Sequence, residues 1–148
     1  MHYADLVQLY FERSNALQWY WTLYVVIIGG LLAFSSLRVR RDAITGLLVT
    51  LLFCMFAYKN LGAIHDTTLQ RMAALDAIHQ LPADSSDTRR IGALINPTLV
   101  APDYEGIRNF HIASDLVTIA ALWAMELRRR RAARENDAAH SSGDAGRH

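Results

Sequence analysis

The sequence contains few residues of several types: one cysteine, three prolines and a single lysine among 15 basic residues. Because Cys54 is the only cysteine, an intramolecular disulfide and a CxxC metal or redox motif are both excluded. We interpret Cys54 as a small buried hydrophobic residue. Charge is also scarce in three long apolar segments, although charged residues make up 20% of the chain. This segregation indicates a small multi-span membrane protein.

Three apolar segments are long enough to cross a hydrocarbon core of about 30 Å as helices. We predict membrane spans at 17–37, 43–64 and 109–127. The first two are joined by a short turn and should form a tight helical hairpin. The third is the most polar, because Asp115 lies within it. The N-terminal segment lacks the basic region with which a signal peptide begins. We therefore expect that the first span is not cleaved off as a signal peptide.

The rest of the chain predicts smaller helical pieces around these spans. Residues 3–13 place Leu6, Leu9 and Tyr10 on one side, which predicts a short interfacial amphipathic helix. In the outer loop 65–108, residues 66–81 are predicted to continue the second span along the membrane surface, and one or two helical turns are expected near 87–95. We therefore predict an all-α integral membrane domain over 1–131 and a disordered polar tail over 132–148.

The arginine-rich flanks of the spans predict the orientation of the protein. The two arginine-rich flanks are the turn after the first span and the segment after the third span, and a chain with three spans places both on the same side of the membrane. This side should be cytoplasmic. The N-terminus and the outer loop should then face outward. The chain has the character of a bacterial inner-membrane protein. The predicted cytoplasmic anchor consists of Arg38, Arg40, Arg41, Arg128, Arg129, Arg130 and Arg131.

Lys59 and Asp115 are charged residues inside predicted spans. Both should lie a similar depth below the outer surface, on consecutive antiparallel helices. Because an unpaired charge in the bilayer costs several kcal/mol, we predict that the two side chains pair. Two alternatives stay open: Lys59 can extend its stem to the headgroups, and Asp115 can be protonated or hydrogen-bonded to Asn60 or Thr118.

Two histidines complete a predicted intramembrane polar cluster. His111 lies one helical turn before Asp115, and His65 lies at the outer end of the second span, so the two imidazoles could meet and hold a haem or a metal ion. A proton pathway through Lys59, Asp115 and His111 is a further alternative. The predicted cluster consists of Lys59, Asn60, His65, His111 and Asp115.

Small residues share one face of the first span and one face of the third. Such faces let helix backbones approach closely in lipid, and we predict that they pack within the chain, with a partner helix as the alternative. The first face consists of Gly29, Ala33 and Ser36, and the second of Ala113, Val117, Ala120 and Ala124.

The sequence favours a non-enzymatic protein, because it contains no nucleophile–base arrangement, phosphate-binding loop or metal-ligand spacing. We predict an interaction or accessory component of a membrane complex, with no cofactor. The alternatives are a small oligomeric transporter or ion channel and a haem- or metal-binding subunit. The expected partners are the lipid bilayer and either another membrane protein or further copies of the chain. Nucleic acid is not expected, since the basic run has no interleaved aromatic residues.

Overall fold

The computed structural model describes residues 2–38, 43–80, 86–101 and 103–145, without the side chains of Thr88 and of residues beyond Glu135. The described residues form helices and no strand, which confirms the all-α prediction. The elements are α1 (Tyr3–Leu37), α2 (Ala43–Gln80), α3 (Ser86–Ile95), a short 3-10 helix (Asn96–Thr98) and α4 (Tyr104–Ala145).

Three helices are long and apolar enough to cross a membrane: α1, α2 and the part of α4 from Tyr104 to Glu135. Each predicted span is part of a longer continuous helix. The 35 residues of α1 extend about 50 Å at 1.5 Å per residue, whereas a hydrocarbon core is about 30 Å thick. Each long helix is therefore longer than the thickness of a hydrocarbon core and extends several turns beyond its apolar segment.

The apolar segments of these helices are largely uncovered by protein. Only 6% of the most apolar stretch of α1 is buried, and 22% of the corresponding stretches of α2 and α4. Leu51 of α2 and Val117 of α4 are 56% and 69% exposed. Cys54 is also exposed, so its interpretation as a buried residue is wrong; it lies on a face of α2 that no described part of the chain covers. An exposed apolar surface of this extent on three long helices is compatible with a membrane environment.

The chain divides into two compact units. Unit 1 comprises Met1–Tyr24 and Tyr58–His111, and unit 2 comprises Val25–Ala57 and Ile112–His148. The three long helices contribute residues to both units, whereas α3 and the 3-10 helix belong to unit 1 alone.

The hydrophobic core of unit 1 joins the first turns of α1 to the last turns of α2. The structure therefore corrects the prediction of a separate interfacial helix over 3–13: this segment is the start of α1, and protein covers its apolar side. The prediction that residues 66–81 continue the second span as a helix is confirmed as far as Gln80, and residue 81 lies outside the described residues. The course of this helix along a membrane surface stays a prediction. Leu69 and Met72 are 51% and 40% exposed. The core residues are Leu6, Tyr10, Ala74, Leu75, Ile78 and Leu99.

Polar contacts fasten the segment after α3 to this core. The Tyr10 hydroxyl donates to the Val100 carbonyl at 2.9 Å. The Arg71 guanidinium lies 4.6 Å above the centre of the Tyr10 ring and donates to the same carbonyl at 3.2 Å. The Tyr3 hydroxyl donates to Asn96 Oδ1 at 2.8 Å, and burial raises the pKa of this phenol. The hydroxyl therefore remains a donor throughout the neutral pH range.

The C-terminal segment differs from the prediction of a disordered tail, because α4 continues to Ala145. Residues 132–135 contain two alanines, an arginine and a glutamate, which are strong helix formers, and Ala133 is buried. Composition alone pointed to disorder because the segment has few large apolar residues. Residues 146–148, and Arg40 and Arg41 of the predicted anchor, lie outside the described residues.

Candidate functional site

A buried polar contact in unit 1 joins two residues of the predicted polar cluster. His111 is completely buried and Asn60 is 5% exposed. The side-chain amide nitrogen of Asn60 lies 3.2 Å from His111 Nε2. If Nε2 is the acceptor, the amide donates to a neutral imidazole whose proton is on Nδ1. The pair thus partners polar atoms that would be costly to bury alone.

Aromatic side chains from α1 enclose this imidazole. The Tyr24 ring lies 4.1 Å from the His111 ring, centre to centre, and is tilted by 35°. Trp21 lies 5.8 Å from the same ring. The Tyr24 hydroxyl also donates to the His111 backbone carbonyl at 3.4 Å. Tyr24 is therefore a core residue, at 2% exposure, whereas Trp19 on the same helix is 71% exposed.

Lys59 and His65 lie in a different environment of unit 1. Lys59 is exposed and lines an open cleft together with Tyr58, His65, Asp66 and Tyr104. His65 Nδ1 lies 3.4 Å from Asp66 Oδ1, and its ring is in edge contact with Tyr104 at 4.7 Å between centres. The described contacts of His65 and His111 are thus made with different partners.

Asp115 is half-buried on α4, in unit 2. Its pairing with Lys59 stays a prediction. Throughout the part of the chain that the structure describes, no group of three or more histidine, cysteine, aspartate or glutamate side chains could hold a metal ion. The geometry of unit 1 is accordingly that of a packed polar contact around His111 and a separate open cleft around Lys59.

Unit 2 contains a charged cluster that the sequence interpretation missed. Glu126 is 4% exposed. Its Oε2 accepts from Arg129 Nη1 at 3.3 Å, and its Oε1 accepts from Arg130 Nε at 3.2 Å. Arg129 Nη2 also donates to the Ser35 backbone carbonyl and to the Ser35 hydroxyl at 3.3 Å. Arg129 and Arg130, which were predicted to belong to a cytoplasmic anchor, thus form ion pairs with the buried Glu126 carboxylate.

The spacing of these residues was a signal that could have revealed the cluster. Glu126 precedes Arg129 and Arg130 by three and four residues, so their side chains share one face of α4. The contact with Ser35 could not be found in this way, because it joins two helices. Ser35 lies within the last four residues of α1, whose carbonyls lack helical partners. Arg129 therefore supplies both a donor and a positive charge to the C-terminal end of α1.

Comparison with protein-family models, with curated proteins and with solved structures gave no match.

Proposed function

We propose that this chain is an integral membrane protein with three spans that serves as a non-enzymatic accessory component of a membrane complex. In this role it packs the small-residue faces of α1 and α4 against the helices of a partner protein. We further propose a bacterial inner-membrane location, with the N-terminus outside and the arginine-rich flanks in the cytoplasm. The positive-inside bias of the arginines supports this orientation.

The observation that carries the proposal is the exposure of both small-residue faces. Gly29, Ala33 and Ser36 of α1 are exposed, and a β-carbon placed on Gly29 would meet no atom within 4 Å. The face of α4 is exposed in the same way. It consists of Ala113, Val117, Ala120 and Ala124. The expectation that these faces pack within the chain is therefore wrong, since each is open in the structure.

Small residues are valuable on an exposed helix face only if another helix approaches it. Lipid tails are as apolar as leucine, so close backbone approach and van der Waals packing drive helix association in a membrane. A partner's helix would gain such contacts at Gly29 and Ala120, which are small and exposed. A lipid-facing role alone would give no reason for small side chains at helical spacing on two helices.

The enclosure of His111 supports a structural role over a transport pathway. Its described ring contacts are with Asn60, Tyr24 and Trp21, and it is completely buried. A buried polar residue of this kind fixes the packing of its neighbours.

The test is affinity purification of the chain from membranes in a mild detergent, with mass spectrometry of the bound proteins. A stoichiometric partner is expected with the wild type and with Gly30→Leu, and its loss with Gly29→Leu. Gly30 is a matched control because it too has open space around it but points about 100° away around the helix. Recovery of the wild type alone as a defined homo-oligomer would contradict the accessory role.

Membrane insertion requires its own test. An inserted chain stays in the pellet after alkaline carbonate extraction of membranes, whereas a peripheral chain is released. Release would contradict the whole proposal. Retention without a partner would contradict only the accessory role.

A further inference from the structure

We propose that unit 2 binds an anionic phospholipid, with its phosphate at Arg38, Arg128 and Arg129 and an acyl chain along an adjoining apolar cleft. This inference rests on the membrane insertion proposed above and is independent of the accessory role.

The apolar part of the site is a cleft formed by α1, α2 and α4. Its apolar lining includes Phe34, Val49, Leu122 and Trp123. These residues come from all three helices, so the cleft is a feature of the folded unit and not of one helix. The space enclosed by the cleft is about 20 Å³, room for about one water molecule. The acyl chain would therefore lie against the outer face of the cleft, where Phe34 is 48% exposed.

The charged part of the site lies further along the same helices. Arg38 and Arg129 line the cleft, and they follow Phe34 and Leu122 by about one and two helical turns. A second groove is lined by Ser36, Met125, Arg128, Arg129 and Ala132. Arg129 thus lines both the cleft and the groove, and Arg128 brings a further exposed positive charge to the same turn of α4.

The charge balance favours an anion at this end of unit 2. The segment 126–131 contains four arginines and one acid, Glu126. The Glu126 carboxylate is buried and bonded to Arg129 and Arg130, which limits its repulsion of an incoming phosphate. Arg38, which follows α1, adds one further positive charge to these four arginines. Arginine presents several N–H donors in a planar fork that suits phosphate oxygens.

The combination of the two parts identifies a lipid and not a free ion. A free phosphate would use only the arginines and would leave the cleft between Phe34 and Trp123 unexplained. A phospholipid places its phosphate at the depth where the apolar segments of the helices give way to arginine. Basic residues next to spans attract anionic headgroups in this way.

The experiment is native mass spectrometry of the full chain in detergent, titrated with phosphatidylglycerol or with phosphatidylcholine of the same acyl chains. We expect preferential binding of phosphatidylglycerol. Arg38→Gln and Arg128→Gln should each weaken it about fivefold, as expected for one basic residue near a charged headgroup. Trp123→Ala should weaken both lipids alike. Arg90→Gln is the matched control, since Arg90 is an exposed arginine of α3 in unit 1, and it should change nothing.

Three results would overturn the inference. Equal binding of the two lipids by the wild type would remove the headgroup site, and this measurement needs no variant to fold. Displacement of phosphatidylglycerol by millimolar inorganic phosphate, with no effect of Trp123→Ala, would indicate a free-anion site. An equal effect of Arg90→Gln would indicate non-specific charge attraction. A chain released by carbonate would instead contradict membrane insertion itself.

Discussion

The side-chain amide of Asn60 on α2 lies 3.2 Å from Nε2 of His111 on α4, and both residues are buried. Two polar side chains in apolar helices are thereby in direct contact with each other. Loss of either member leaves the other buried with an unmet hydrogen bond, which costs more than the net value of the bond itself. The contact therefore fixes the relative positions of the two helices within unit 1.

We predict that Asn60→Leu lowers the free energy of unfolding by about 1–3 kcal/mol, because it leaves His111 Nε2 buried without this partner. The measurement is denaturant unfolding in detergent micelles. The double variant Asn60→Leu, His111→Phe should lose less than the sum of the single variants, since the two residues are in contact.

The control for this prediction is Asn15→Leu, because Asn15 is an exposed residue of α1. It should change the unfolding free energy by less than about 0.5 kcal/mol. Additive losses in the Asn60 and His111 variants would mean that the two side chains do not interact in solution.

A second prediction tests whether the first turns of α1 pack on α2 and not on lipid. Leu6 is 4% exposed in the core of unit 1, whereas Leu69 of α2 is 51% exposed. Leu6→Ala should cost about 2–5 kcal/mol in detergent, the range for a leucine removed from a packed core. Leu69→Ala should cost far less. Equal and small effects, together with weaker membrane retention of the Leu6 variant, would restore the interfacial-helix interpretation.

The sequence was sufficient to predict the three long apolar helices, because the hydropathy of a span depends on local composition. It was not sufficient to predict which faces are covered. Leu6 and Tyr10 were assigned to the correct apolar side of α1, but the element that buries them, the end of α2, could not be inferred. The burial of Tyr24 could not be inferred for the same reason, since it depends on His111, 87 residues later.

The polar contacts were predictable to the same extent: contacts within one helix could be inferred from the sequence, and contacts between helices could not. Local spacing contained the signal for Glu126 with Arg129 and Arg130, whereas the bond from Arg129 to Ser35 joins residues 94 apart. Depth along the helices predicted that Lys59 and Asp115 would need partners, but depth alone does not specify rotation about a helix axis. Lys59 is exposed at an open cleft, and both its pairing with Asp115 and the extension of its stem to the headgroups stay predictions.

A third prediction concerns Glu126. Glu126→Gln removes the charge that holds Arg129 and Arg130, although the amide can still accept one hydrogen bond. We expect a loss of about 1–2 kcal/mol, below the range for breaking a fully buried ion pair, because the Arg129 and Arg130 side chains are 19% and 40% exposed. Thermal unfolding of the purified protein in detergent provides the measurement.

Glu135→Gln is the matched control, because Glu135 is an exposed glutamate of the same helix. Its effect should lie within about 0.5 kcal/mol of zero. If both substitutions behaved alike, the Glu126 carboxylate would have to be solvated and not engaged by the arginines.

A final prediction concerns a threonine in unit 1. Thr68 is 1% exposed, and its hydroxyl has no hydrogen-bond partner among the described residues. Thr68→Val replaces the hydroxyl by a methyl group of nearly the same shape, so the buried unsatisfied polar atom disappears. The variant should be more stable than the wild type by about 1 kcal/mol, measured by unfolding in detergent.

Thr118→Val provides the contrast for this prediction. Thr118 is also buried, at 4% exposure, but its hydroxyl donates to the Ser114 carbonyl at 2.8 Å. The same substitution there removes a bond that is made, so it should not stabilise the protein. A destabilised Thr68 variant would show that its hydroxyl has a partner in solution, and an ordered water is the group that fits a buried site of this kind.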